Sequence, residues 1–215
     1  ALAIHRRLHT FYQLIESDRL QLRIGIATGE ITALQVGGIY GRWELLVTGE
    51  PLLKMGKAER LARPGEVVLT PKAWEQIADR SNGTPVGGTS EQPFMRLKHI
   101  HTPIPLVASQ PPKLTPKMNT ALRSFIPGAV LSRLVAGETS WLAELRRITV
   151  LFVNLPSVSH TTELAQAQQV VHTLQSVLYR YEGSVNKITI DDKGITLVAA
   201  LGLPPLAHED DALRG

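Results

Sequence analysis

The sequence predicts an α+β protein in which antiparallel strands predominate, and three observations indicate this class. Several short runs alternate apolar and polar residues, as strands do, and Gly-rich turns separate them. Residues 50–62 and 161–182 carry apolar side chains at helical spacing. Asp191-Asp-Lys-Gly194 separates two strand-like runs by a length typical of a hairpin turn, and hairpins join antiparallel strands.

In the first part of the chain, the pattern of apolar residues predicts, in order, a helix, three strands, a helix, a strand, a helix and a strand. The segments are 2–16, 20–26, 31–36, 44–48, 50–62, 67–69, 70–80 and 94–100. Thr70-Pro71 is a cap residue followed by proline at the first helical position, which indicates a helix start. Residues 81–93 are rich in Gly, Pro and Ser and predict a loop.

The second part predicts a strand, a long helix, two strands and the start of another helix. Proline-rich residues 101–117 predict an extended linker before it, and the helical pattern over 121–134 is interrupted at Pro127. The apolar run 148–153 predicts a strand covered on both faces, and Gly183 is expected to end helix 161–182. The strands 184–190 and 195–201 follow, then a helix start at 208–211. Joined in the reverse order, the two parts make one ferredoxin-like domain.

Composition narrows the function classes. Apolar residues make up 43% of the 215 residues, enough for a sizeable core, and the absence of cysteine excludes disulfides and thiolate metal sites. This suits a reducing compartment, so we expect a cytoplasmic protein. The net charge of +4 is scattered, which argues against nucleic-acid binding. We expect neither a membrane helix nor a signal peptide, and we expect the chain to be a piece of a longer protein.

Three segments together resemble class III nucleotide cyclases, of the bacterial, tandem-domain soluble adenylyl cyclase type. They are Arg23-Ile-Gly-Ile-Ala-Thr-Gly-Glu30, Leu46 through Glu66, and Arg146-Arg-Ile-Thr-Val-Leu-Phe-Val-Asn-Leu155 followed by Lys187 and Asp192-Lys-Gly194. The order and spacing of the segments carry the resemblance.

The resemblance implies that ATP is converted to cyclic AMP and pyrophosphate at a site between two cyclase domains that pair head to tail. It implies that residues 1–104 are the C-terminal half of a first cyclase homology domain and 105–143 an inter-domain linker. Residues 144–215 would then be the N-terminal half of a second domain. No catalytic residue is expected within this chain.

The family's reaction needs two divalent cations, Mg²⁺ or Mn²⁺, which prefer carboxylate ligands. At the two positions where the family has these carboxylates, this chain has Asn154 and Ile195. We therefore expect the metal ligands of the complete enzyme to lie outside this chain. Asp191 and Asp192 are possible substitutes, although a solvated hairpin turn is favoured, and the acidic run His208 to Asp211 is better explained by helix capping.

Lys187 matches the lysine with which adenylyl cyclases recognise adenine. Adenine N1 accepts a hydrogen bond and an ammonium group only donates, whereas guanine presents a donor at N1. The alternative is an exposed strand lysine without a ligand.

The resemblance also implies a degenerate second site lined by Val47, Leu53, Lys57 and Ile190. Leu53 and Lys57 replace the family's catalytic asparagine and arginine. Soluble adenylyl cyclases bind bicarbonate in this pocket, but the arginine used for that anion falls at Gly56 here. Lys57 or Arg42 could compensate for that arginine, although a surface charge is the favoured interpretation of both.

Two hypotheses follow: part of an ATP-cyclising enzyme, inactive as an isolated piece, or a non-catalytic cyclase-like regulatory module. A palm-type enzyme that makes cyclic dinucleotides is disfavoured, because its Gly-Gly-Asp/Glu-Glu-Phe hairpin is absent from the sequence.

Overall fold

The computed structural model describes residues 2–4, 7, 21–102, 110–137, 147–159, 161–191, 194–203 and 206–215. Its helices are Glu50–Leu61 (α1), Pro71–Glu75 (α2), Pro116–Arg123 (α3), Gly128–Val135 (α4), Leu164–Arg180 (α5) and Asp211–Arg214 (α6). Its strands are Ile24–Ile26 (β1), Thr32–Gly37 (β2), Trp43–Thr48 (β3), Val67–Leu69 (β4), Ser81–Gly88 (β5), Pro93–Ile100 (β6), Thr149–Asn154 (β7), Ser184–Asp191 (β8) and Gly194–Leu201 (β9). The protein is therefore α+β, as the sequence predicts, and most of its strand pairs are antiparallel.

The chain divides into two compact units whose boundaries cross its sequence order. The first unit holds residues 1–31 and 49–109, and the second holds 32–48 and 110–215. The β2–β3 hairpin therefore packs with segments that follow it by more than a hundred residues. The predicted boundaries at 104 and 144 separate two homology domains. A division into compact units does not test such boundaries, so they stay a prediction.

The first unit is a four-stranded sheet in the order β1-β4-β6-β5, against which α1 packs. β1 and β4 run parallel, whereas the other described strand pairs of this sheet are antiparallel. Gly25 lies where α1 crosses β1, and a Cβ atom there would stand 2.4 Å from the Met55 carbonyl oxygen. Only glycine permits this approach. The buried side chains between α1 and the sheet are Ala58, Ala62, Val68 and Phe94.

Two expectations for the first unit need correction. Residues 81–93 are not all loop, because Ser81–Gly88 forms β5 and pairs with β6. The register is irregular at Asn82/Gly83 and Pro85/Gly87. Such irregularities allow an edge strand to contain glycine and proline. The helix predicted over 70–80 is only Pro71–Glu75, capped by the Thr70 hydroxyl, followed by a 3-10 turn at Ala78–Arg80.

The second unit is a three-stranded antiparallel sheet in the order β7-β9-β8, with α5 packed on one face. The prediction that β7 is covered on both faces is wrong. Leu151 and Val153 pack on the core, whereas Val150 and Phe152 are 43% and 74% exposed. Successive side chains of a strand point to opposite faces, so an apolar run does not by itself show that both faces are covered.

The remaining segments agree with the sequence, with two local exceptions. Pro127 separates α3 from α4, as predicted, but α3 begins at Pro116, within the predicted linker 101–117 and before the helical pattern predicted over 121–134. At the end of α5, the left-handed residue is Glu182, with φ of 60°, while Gly183 donates its N–H to the Leu178 carbonyl at 2.8 Å. Of the helix predicted over 2–16, residues 2–4 and 7 are helical, and the rest lies outside the described residues, as do 103–109, 138–146, 192 and 193.

A buried polar cluster holds the β2–β3 hairpin on α5, and we call Arg42, Glu44, Gln168 and Gln175 the hairpin clasp. Gln175 is fully buried; its amide oxygen accepts from the Ile39 N–H at 3.3 Å. Its amide nitrogen donates to the Glu44 carboxylate at 3.2 Å and to the Arg42 carbonyl at 3.3 Å.

Two helical turns earlier, Gln168 exchanges two hydrogen bonds of 2.8 Å with the backbone of Gly37. Arg42 completes the clasp through an ion pair of 3.0 Å with Glu44 and a hydrogen bond to the Ser124 carbonyl. Burial raises the pKa of Glu44, although Arg42 and Gln175 both act to lower it. Desolvation of the carboxylate therefore outweighs the two partners.

We expect Gln175→Ala to lower the free energy of unfolding by about 3 kcal/mol, because it opens a cavity and leaves the buried Glu44 carboxylate without one partner. Urea unfolding measures the loss, and amide hydrogen exchange locates it in β2–β3 rather than β5–β6. The matched control is Gln169→Ala, at an exposed position of the same helix. Equal stability of the two variants would contradict the clasp.

The raised pKa of Glu44 predicts a pH-dependent stability. Because the folded pKa lies above the ordinary value of 4.5, this group's contribution is fully present below that value and is lost as pH rises through the folded pKa. Glu44→Gln cannot ionise and escapes this loss. The stability of the native chain minus that of the variant, measured by urea unfolding, should therefore fall as pH rises above 4.5. A constant or rising difference would count against it.

Candidate functional site

The sheet of the second unit has one face on the core and a second face that carries Lys187 and Asn154, two of the residues singled out by sequence. Val185, Ile195, Leu197 and Ala199 point to the core with the buried side of α5. Alternation therefore directs Thr196 and Val198 of β9, and Val150, Phe152 and Asn154 of β7, to the opposite face. We call this the outer face.

The strand register orders the outer face into rows. Lys187 pairs with Val198, which pairs with Phe152. In the neighbouring row Thr189 pairs with Thr196, and Thr196 pairs with Asn154. Strand and residue spacings then separate the Cα atoms of Lys187 and Asn154 by about 12 Å.

A β-bulge determines where Lys187 points. Val185 is fully buried in the core, and simple alternation would direct residue 187 to that same face. The register shifts between Val185 and Lys187, with Asn186 as the extra residue. The bulge reverses the alternation, so Lys187 is exposed on the outer face while Ile188 packs on the core.

The two positions at which the resemblance expects metal-binding carboxylates, Asn154 and Ile195, lie on opposite faces. Asn154, the last residue of β7, is exposed on the outer face. The Ile195 side chain is 1% exposed within the core, and its carbonyl accepts from the Leu155 N–H at 2.8 Å. One neutral amide and one buried hydrocarbon do not fit a hard divalent cation.

The acidic residues weighed as substitutes add no metal site among the described residues, which contain no cluster of three potential ligands. Asp192 lies outside the described residues. Asp211 accepts a hydrogen bond from the His208 backbone N–H at 2.9 Å, and Asp210 pairs with Arg214 at 2.8 Å. Asp210 occupies the N-cap position of α6 but makes no side-chain capping hydrogen bond, so hydrogen-bond capping by this residue is not observed, and Asp211 lies in the first turn of the helix.

The four residues of the predicted degenerate site are divided between the units. Leu53 and Lys57 lie one helical turn apart on α1 of the first unit, where the Lys57 ammonium stands 5.5 Å above the Phe94 ring. Val47 on β3 is half-buried in the second unit. Ile190 on β8 packs against the core of the same unit. The common pocket stays a prediction.

Sequence reasoning missed the hairpin clasp. It interpreted Arg42 as a surface charge, yet the Arg42 side chain is only 10% exposed, because Glu44 and two backbone carbonyls draw it inward. A signal was present: Gln168 and Gln175 are seven residues apart and fall on the otherwise apolar side of α5. Two glutamines at that spacing on a buried face indicate polar partners across it.

In the part of the chain that the structure describes, no helix combines the length and the apolarity that a membrane crossing requires.

Comparison with known proteins gives a consistent, distant similarity. No family model matches the chain. Human adenylate cyclase type 10 is 24% identical over 86% of this chain, and the rabbit protein of that name is 24% identical over 92%. The rat adenylate cyclase type 10 is 25% identical over 92% of the chain.

The aligned region is a small part of each relative, since the chain spans only 13–14% of their length. These similarities cover both units of the fold and agree with the resemblance found in the sequence. They support a relationship of this chain to cyclases.

Proposed function

We propose that this chain is part of a nucleotide cyclase of the tandem-domain, bacterial type, which converts ATP to cyclic AMP and pyrophosphate in intracellular signalling. ATP is the proposed substrate, and the cytoplasm is the proposed location of the enzyme. Its support is the ordered cyclase-like segments and the similarity to adenylate cyclase type 10 over most of the chain.

The observation that carries the proposal is the bulge that turns Lys187 to the outer face. An exposed ammonium at that position is free of the core and suited to donate to adenine N1. A charged hydrogen bond of this kind contributes roughly 1.5–3 kcal/mol. Lys187 thus acts in binding and orienting the base, and it takes no part in bond making.

Head-to-tail pairing of two cyclase domains is the second part of the proposal. The β2–β3 hairpin lies within residues 1–104, and α5 lies within 144–215. The hairpin clasp therefore joins the two predicted homology domains through buried hydrogen bonds. Such a contact is what pairing requires.

Because Asn154 and Ile195 do not fit Mg²⁺ or Mn²⁺, the proposal assigns the metal ligands to another part of the complete enzyme. The 215-residue chain alone should then form no cyclic AMP from ATP with either cation. Product analysis by mass spectrometry measures this against a boiled sample. Turnover well above that blank would overturn the assignment.

In the complete enzyme, Lys187→Met should lower kcat/KM for ATP by about 10- to 150-fold, because the base loses a charged hydrogen bond. Selectivity for ATP over GTP should fall with it. The control is Lys98→Met, which removes another exposed strand lysine and should change neither value. Unchanged kinetics for Lys187→Met would remove this residue from the adenine site.

A non-catalytic, cyclase-like regulatory module is the second candidate. It is favoured by Leu53 and Lys57, which replace a catalytic asparagine and arginine in the resemblance, and by the contact of Lys57 with Phe94. Absence of cyclase activity in the complete protein, with Lys187 intact, would decide for this candidate.

A further inference from the structure

A cavity of about 250 Å³ lies within the second unit, and none of its described lining residues is assigned to the cyclase sites. Four segments meet there: the β2–β3 turn, the start of α4, the end of α5 and the chain that follows β9. Its described lining includes the side chains of Tyr40, Arg42, Pro127, Tyr179, Leu203 and Leu206.

Tyr40 is the most unusual part of this cavity. Its backbone is left-handed, with φ of 52° and ψ of 30°, a conformation that is uncommon for a residue with a side chain. Its side chain is 89% exposed although it stacks on Tyr179 with the ring centroids 6.1 Å apart. Tyr40 thus has a strained backbone conformation and places its aromatic ring at the mouth of a cavity, where most of the ring contacts solvent.

The charged groups of the cavity already have partners within the protein. The Arg42 guanidinium donates to the Trp43 and Ser124 carbonyls and to Glu44. Glu182 pairs with Arg214 at 3.0 Å and contacts His208. A charged ligand would therefore compete with existing ion pairs, whereas an uncharged ligand would not.

The remaining surface suits a flat, apolar molecule. Pro127, Leu203 and Leu206 supply hydrocarbon surface, and the Tyr40 and Tyr179 rings supply π faces. Burial raises the pKa of Tyr179 to about 12, so its phenol stays uncharged near neutral pH. An apolar cavity of about 150 Å³ is enough for benzene. The larger volume here admits one or two fused rings.

We propose that this cavity binds an uncharged, flat aromatic molecule of one or two rings, which covers Tyr40 and joins the β2–β3 turn to the end of α5. The contacts of the second unit carry this inference, which does not depend on the cyclase assignment. Because the ligand contacts the hairpin and α5 together, its binding stabilises their association.

Indole is a suitable probe, observed by saturation-transfer NMR with the 215-residue chain. We expect binding in the millimolar range or tighter, and slower amide exchange in β2–β3 when indole is present. Tyr40→Ala should weaken binding at least tenfold, because it removes the stacking ring. Leu206→Trp, at a residue 42% exposed, should weaken it equally by filling the cavity without touching Tyr40.

The matched control is Tyr181→Ala, which removes an exposed tyrosine at the end of α5 that does not line the cavity and should leave indole binding unchanged. Benzoate and benzamidine test the charge argument, and both should bind more weakly than indole. The proposal is overturned by absent indole binding, by unchanged affinity in either Tyr40→Ala or Leu206→Trp, or by tighter binding of either charged probe.

Discussion

Burial of the Glu44 carboxylate next to Gln175 is the constraint on which the second unit depends. Glu44 is 4% exposed and Gln175 is fully buried, so each needs the hydrogen bonds that the other provides. Since Glu44 belongs to the hairpin and Gln175 to α5, these bonds hold together segments more than a hundred residues apart. An apolar contact would hold them less specifically, because only the correct register satisfies both glutamines, Arg42 and the Gly37 backbone.

The same packing defines the outer face. α5 packs on one side of the sheet, and the core on that side includes the side chains of Leu151, Val153, Ile188 and Ile195. Alternation then gives the other side to Asn154 and, through the bulge at Asn186, to Lys187. The face proposed to meet the nucleotide is thus a consequence of how the core is built.

The cavity next to Tyr40 lies at the point where the hairpin turn reaches the end of α5. A ligand that joins the hairpin to α5 would strengthen this contact between segments remote in sequence. The proposed base-binding role of Lys187 and the proposed cavity ligand are therefore distinct, and each stands on its own residues.

The sequence by itself determined most of the local elements, although it missed β5. The limits of α1, β4, β8 and β9, the cap at Thr70 and the interruption at Pro127 follow from periodicity, capping and proline chemistry, which act over a few residues. It also identified the residue types, including the lysine at 187 and the neutral side chains at 154 and 195. Only the tertiary structure decided that β7 has an exposed face, that the Arg42 side chain is largely withdrawn from solvent, and that the hairpin packs on α5. Those outcomes depend on contacts between residues remote in sequence, and no local pattern specifies which partner covers a face or neutralises a charge.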